Sequence, residues 1–310
     1  MLARSGVGLA AGAAGIPAAP APAPAAEPAA EKEPFLYCLN MGTILGYKLP
    51  ITDEIDVAAE AGYGGVEVWP RNLRRHVEEG GSLEDVKKRI DDRGLKVVSA
   101  IGFPRWAVDD DEQRAEGLEN MKEEMDMVRR IGGRHIAAPP AGVNRVPGVD
   151  LRAIAERYRA VLDLGREMGV VPQLEIWGSA QTLGTVAEAA FVAVATDHPD
   201  ACLLLDAYHM YRGGSGFDCL KLLSGAAMHN FHINDYPADP PREEINDSHR
   251  VYPGDGVAPL EAILRDLYAT GFRGALSLEL FNRDYWKQDV AVVARTGLGK
   301  MKAAVAKAFG

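Results

Sequence analysis

Four residues with metal-binding side chains sit at the ends of apolar runs, where they are costly to keep. They are Glu175 in QLEIW, Asp206 in LLLDAY, His232 in FHIND and Glu279 in LSLEL. A carboxylate among leucines and isoleucines loses its hydration unless a partner replaces it. Three carboxylates gathered together also repel and raise one another's pKa. A divalent cation relieves both penalties. Two or three carboxylates with one imidazole suit Mn2+ best, with Co2+, Fe2+, Mg2+ and Zn2+ as further fits. Any one of these residues alone reads as a salt-bridged strand end. Four at equivalent places in successive runs read as one site for a single divalent ion.

For the four to meet, the runs that carry them must converge. From Phe35 onward, short apolar runs read as buried strands: FLYCLN from 35, GVEVW from 65, KVVSAIGF from 96, RHIAAP from 134, PQLEIW from 172, CLLLDAY from 202, HNFHIND from 229 and ALSLELF from 275. Amphipathic stretches at 52–61, 82–93, 112–131, 150–168, 184–196, 216–224, 259–270 and 288–307 read as the helices between them. Continuous apolar strands alternating with helices indicate a parallel sheet covered on its faces. Eight such units, with no glycine-rich phosphate fingerprint after the first strand, favour a single-domain (β/α)8 TIM barrel over 35–310 rather than an open doubly wound sheet. The four residues fall on strands five to eight, whose C-terminal ends converge on one pocket in such a barrel. Thr52 and Ser82 stand where helix N-caps belong, and Gly169 and Gly271 where helices end. The polar, proline-rich segment 234–258 follows strand seven on the same face, and long loops there usually carry function.

At these residues the chain resembles the sugar phosphate isomerase/epimerase family of xylose isomerase-like TIM barrels, over nearly everything from Phe35 to the C-terminus. The resemblance implies that Glu175, Asp206, His232 and Glu279 are the metal ligands, one for one. It also implies that Glu175 and Glu279 act as the acid and base on two sides of the substrate. His209, three residues after Asp206 in LLLDAYHMY, matches a substrate-binding histidine, and Glu67 in GVEVW also fits as a substrate contact. The family's sugar epimerases carry a glutamate where this chain has Gln181 and an arginine where it has Ala238; Arg250 in the long loop is the candidate replacement. The stretch RVYPGDGVAPL followed by LSLELFNRDYW resembles barrel dehydratases of the same superfamily, which act on 3-dehydroshikimate.

The chemistry implied is proton movement between adjacent carbons of a hydroxy-carbonyl compound through an enediolate. A metal stabilises the developing charge while one carboxylate removes the proton and another acid returns it. An isomerase or epimerase on a sugar or other polyhydroxylated carbonyl compound is the first reading, and a lyase on the same metal scaffold the second. A third is a secreted sugar-binding protein without catalysis, which has little use for two buried glutamates. An abasic-site endonuclease needs more histidine ligands and a basic groove. Trp69, Trp106 and Trp177 sit at or after strand ends as candidate pocket walls, with Tyr285 and Trp286 closing the barrel top. Asp235 is a candidate for orienting His232 or touching substrate. The run DDDE from 109 reads as a solvated helix start, Asp255 as a turn residue, and His135 and His229 as structural.

The net charge of −10 disfavours nucleic acid as a partner. Cys38, Cys202 and Cys219 form no metal motif or disulfide framework, and Cys38 and Cys202 read as buried thiols. No later segment is long and apolar enough to span a membrane. Residues 1–34 read as a disordered leader: an incomplete export signal followed by an alanine/proline linker, pointing to a periplasmic or secreted protein. A homo-oligomer is compatible with the sequence, which does not specify one.

Overall fold

Each of the eight apolar runs forms a short strand: β1 (Leu36–Asn40), β2 (Gly65–Val68), β3 (Lys96–Ala100), β4 (His135–Ala138), β5 (Val171–Glu175), β6 (Leu203–Asp206), β7 (Asn230–Ile233) and β8 (Ala275–Leu278). In this computed structural model, which describes residues 1–3, 6 and 33–310, the strands form one sheet in the order β3-β2-β1-β8-β7-β6-β5-β4. Every ladder is parallel. The first and last strands of that order, β3 and β4, lie side by side without a main-chain ladder among the described residues, so the TIM barrel is nearly closed. His135 Nδ1 to the Val98 carbonyl, at 3.2 Å, spans this seam, as does Trp106 Nε1, which donates to the Pro139 carbonyl at 2.9 Å. The export signal expected over 1–34 falls almost wholly outside the described residues.

The helices are α1 (Ile51–Ala61), α2 (Pro70–Glu78), α3 (Leu83–Asp92), α4 (Asp111–Arg130), α5 (Leu151–Met168), α6 (Val186–Ala195), α7 (Ala207–Arg212), α8 (Leu260–Ala269) and α9 (Val290–Phe309). Ser82 caps α3 by accepting from the Asp85 amide, and Asp110 caps α4, so the acidic run is a helix start as expected. Thr52 is not a cap; it lies inside α1, behind Pro50. Gly169 closes α5 at φ 72°.

Three local expectations are corrected. Segment 216–224 is not an α-helix but a 3₁₀ turn at Phe217–Leu222, in which only Leu220 is buried; one apolar contact gives no continuous face to hold a longer helix. The helix following β6 is instead α7, starting directly from the strand: Asp206 Oδ1 accepts from the His209 amide at 2.8 Å. Helix α2 was not anticipated. It begins with Pro70 at its first position, where proline's fixed φ and missing N–H favour a helix start.

The main apolar core lies between the strands and the helices that cover them. The barrel interior is different. Cys38, Val98 and Ala275 form an apolar floor. Above it sit Glu67, Ser99, Gln173, Asn230 and Ser277, all fully buried and linked in one hydrogen-bonded chain. Among the described residues no helix is long and apolar enough to cross a membrane.

Candidate metal centre and cavity

Asp206 ends β6, His232 lies within β7 and Glu279 directly follows β8. Because these are neighbouring parallel strands, their ends present side chains to one place. One potential ligand atom from each of the three lies within 4.8 Å of the others. His232 Nε2 is 2.9 Å from Glu67 Oε2. With its proton fixed there, the ring offers Nδ1 to the cluster, 3.3 Å from Glu279 Oε2 and 3.6 Å from Asp206 Oδ2, yet without a hydrogen-bond partner among the described residues. Glu175, at the end of β5, is not part of the three-residue cluster, but its Oε2 is likewise buried and unpartnered. Buried polar atoms are rarely left so. Two orphaned ligand atoms beside two further carboxylates fit a divalent cation of oxygen and imidazole preference.

Cationic side chains otherwise balance the cluster. Arg250, buried on the 234–258 loop, donates from Nη1 to Asp206 Oδ2 at 3.0 Å and Glu279 Oε2 at 2.8 Å. Its guanidinium carbon sits 4.5 Å from the Tyr208 ring centroid. Burial pushes Glu175 up to about 8, partly countered by His232. Burial also works against ionised Asp206 and Glu279. For Asp206, Arg250 leads the charges that outweigh it, and for Glu279, His232 with Arg250 does, so both carboxyls lie below their ordinary range. For His232, burial disfavours the charge, but Glu67 and Glu279 outweigh it and raise the ring well above its ordinary value, so an ion taking Nδ1 would have to displace the proton there.

The cluster opens into a cavity of about 340 Å³. Trp69, Phe103, Trp177 and Phe281 wall it, with successive ring centroids 5.2 to 6.2 Å apart. Glu175, His209, Asp247, Arg250 and Glu279 supply its polar side. The chain thus brings Glu175, Glu279, His209, Arg250 and Trp177 to one cavity. His209 Nδ1 accepts from the Gly178 amide at 3.2 Å while its Nε2 faces Arg250 Nη2 at 3.0 Å. Burial, then Arg250, lowers its pKa. Both ring nitrogens face donors, and a neutral imidazole has a single acceptor nitrogen, so it cannot satisfy both at once. Gly178 must be glycine, because a Cβ there would lie 2.4 Å from the His209 carbonyl oxygen.

Other expected positions fall elsewhere. Glu67 does not line the cavity. It is fully buried beneath it, where Asn40, Asn230 and Ser277 donate to its carboxylate at 2.9, 2.9 and 2.6 Å, alongside His232. Asp235 does not meet His232 or the cavity either. Its oxygens accept the backbone amides of Tyr236, Gly254, Gly256 and Ala258, all at 2.8 to 3.0 Å, so it organises the long loop. Trp106 is a core residue, fully buried against Tyr158. Trp286 Nε1 donates to the Thr43 carbonyl at 2.9 Å, and Tyr285 stacks on Tyr252. Sequence reasoning missed Asn40, Asn234 and Asp247. Asn40 Nδ2 donates to Glu67 and Glu279, Asn234 Nδ2 to Asp206 at 3.0 Å, and Asp247 accepts from Arg250. The signal for the two asparagines was there: each ends an apolar strand run.

An eight-stranded barrel with carboxylates and an imidazole converging at its strand ends defines a class of metal-competent barrels. The chain belongs to the xylose isomerase-like TIM barrel family, whose model matches residues 55–303. It is 25% identical to an inosose isomerase from Bacillus velezensis, over 88% of this chain and 98% of that one. It is also 25% identical to a 3-dehydroshikimate dehydratase from Pseudomonas aeruginosa, over 75% of this chain and 36% of the other. Among solved structures, the IOLI protein with a bound zinc atom superposes with a TM-score of 0.80 at 24% identity, covering 89% of this chain and all of that one.

Proposed function

We propose that this enzyme is an isomerase or epimerase that moves a proton beside the carbonyl of a sugar or polyol-derived substrate through an enediolate. The observation that carries the reading is the convergence of Asp206, His232 and Glu279 within 4.8 Å at a cavity into which the unpartnered Glu175 also faces. These four residues would hold one divalent ion, with Mn2+ favoured by the donor set. When bound, such an ion stabilises negative charge developing on neighbouring substrate oxygens. Glu175 and Glu279 enter the cavity from different strands and serve as acid and base on the two carbons. Arg250 and His209 hold substrate oxygens, and the aromatic walls cover the C–H faces of a polyhydroxylated ring. The inosose isomerase relative, matched over nearly its full length, supports this substrate class.

A lyase that abstracts the same kind of proton and then expels water is the second reading, supported by the dehydratase relative. The two separate in D₂O. The Mn2+-loaded protein is incubated with a panel of ketoses, inososes, 3-keto-sugars and 3-dehydroshikimate. Deuterium incorporated at unchanged heavy-atom composition supports the isomerase. Loss of water from the product supports the lyase. No deuterium uptake by any member of the panel overturns proton abstraction from this substrate class.

A further inference from the structure

The N-terminal ends of the strands, at the opposite end of the barrel from the metal cluster, open onto a second cavity of about 520 Å³, larger than the first. It is lined by Lys96 at the start of β3, Arg134 and His135 at the start of β4, His229 before β7 and Arg273 before β8. Lys96, Arg134 and Arg273 are exposed. Lys96 and Arg134 pair with no carboxylate among the described residues. Arg273 stands over the Tyr268 ring, its guanidinium carbon 3.4 Å from the centroid. Asp91 and Lys87 also line the cavity, paired with each other, and Asp200, paired with Arg166, is the carboxylate whose charge reaches His229. In a chain of net charge −10, the lining of this concave surface carries four cationic side chains, Lys87, Lys96, Arg134 and Arg273, against the single carboxylate of Asp91.

The two histidines give the surface its second feature. Their rings stack with centroids 4.2 Å apart and planes at 22°. His135 Nδ1 is committed to the Val98 carbonyl, so a neutral ring leaves Nε2 unprotonated. Burial, and then the neighbouring His229, push His135 down to about 4; burial lowers His229 as well. Two half-buried imidazoles thus stand where burial disfavours their charge, beside Lys96 and Arg134, and an arriving anion would favour protons on them. Stacked rings direct their in-plane lone pairs side by side rather than at a common point, so the pair makes a flat polar face, not a metal clasp.

We propose that this mouth of the barrel binds a phosphate-bearing small molecule, held by Lys96, Arg134 and Arg273 against the stacked His135 and His229 rings. A phosphate group offers several acceptor oxygens to cationic donors, and its charge matches the unpaired lysine and arginine. The site is separate from the metal cluster and independent of the reaction assigned there.

Inorganic phosphate is the probe. It is titrated into the full chain at fixed ionic strength while the imidazole resonances of His135 and His229 are followed, assigned with His135→Asn and His229→Asn. Both resonances should move together and saturably toward their protonated positions. Arg134→Ser and Lys96→Ser, each an exposed substitution checked for native circular dichroism, should each weaken the response by roughly tenfold, the loss of one charge-assisted contact. Asp206→Asn at the far end should leave the titration unchanged. The proposal is overturned if phosphate produces no saturable shift, if chloride at matched ionic strength produces the same one, or if both folded substitutions titrate like the parent.

Discussion

Glu175 and Glu279 carry the same functional group in different surroundings. Glu279 receives Arg250 and lies beside His232, whereas Glu175 is buried with an oxygen that nothing donates to. Glu279→Gln keeps the shape and one ligand oxygen but removes the base, a loss of about 10²–10⁴ in substrate proton exchange at saturating metal. Glu175→Gln should impair the second transfer by a similar factor. An epimerase is indicated if each variant still exchanges the proton handled by the other glutamate, a lyase if one variant abolishes all exchange and the other only slows product formation. Near-normal turnover in both would leave the cavity without its assigned acid and base. Glu67 acts one step back, through His232. Glu67→Gln should lower Mn2+ affinity by about 10–100-fold, measured by competition with a chelator, because the carboxylate orients the ring and raises its basicity. Unchanged affinity would mean that the ring is oriented by its packing alone. The cluster itself was legible because each member interrupts an apolar run. The role of Glu67 was not, because its partners come from β1, β7 and β8 and meet only across the barrel interior.

The long segment after β7 is held as an element by one residue. Asp235 gathers four backbone amides, and an antiparallel bridge to Val251 ties the loop's outgoing limb beside the strand end. That bridge delivers Arg250, the adjacent residue, into the cavity. Asp235→Ala leaves those amides without their acceptor, each a penalty of about 1–3 kcal/mol when desolvated. Limited proteolysis should then cut first within 236–258, and turnover should fall, while far-UV circular dichroism stays that of the parent barrel. An unchanged cleavage pattern would show that the loop is held by other contacts. Length and position marked this segment as functional, but not the route by which Arg250 arrives. The same limit explains the helix corrections. Residues 216–224 have a helix-like pattern with too little surface to bury it, and the first two residues of α7 were read as the end of the strand run CLLLDAY. The eight strands were legible because burial on both faces makes each a short, mainly apolar run with isolated polar residues.

For the whole molecule, the proposed ligands come from the consecutive strands β5 to β8, so a bound ion ties half of the sheet together. An ion that binds the native state alone stabilises it by about 2.7 kcal/mol at 100 times its Kd. For a chain of this size each kcal/mol corresponds to roughly 2–4 °C in Tm. Part of that gain is offset, because Arg250 already neutralises Asp206 and Glu279 and must yield to the ion. Saturating Mn2+ should therefore raise Tm by several degrees, EDTA should reverse the rise, and Asp206→Asn should abolish it. A metal-independent melting curve would count against the site.

A ring of staves bonded at every joint resists any change of girth. This one has a joint, between β3 and β4, that side chains such as His135 and Trp106 span without a main-chain ladder among the described residues. Its compliance is therefore concentrated on one side. Phe103, which follows β3, and Asn144, which follows β4, both border the cavity, so one side of its lip stands over that joint. The arc from β5 to β8 keeps its ladders and, with them, the spacing of Glu175, Asp206, His232 and Glu279. The geometry of those four residues is therefore held by main-chain ladders, while the lip of the cavity between β3 and β4 rests on side chains.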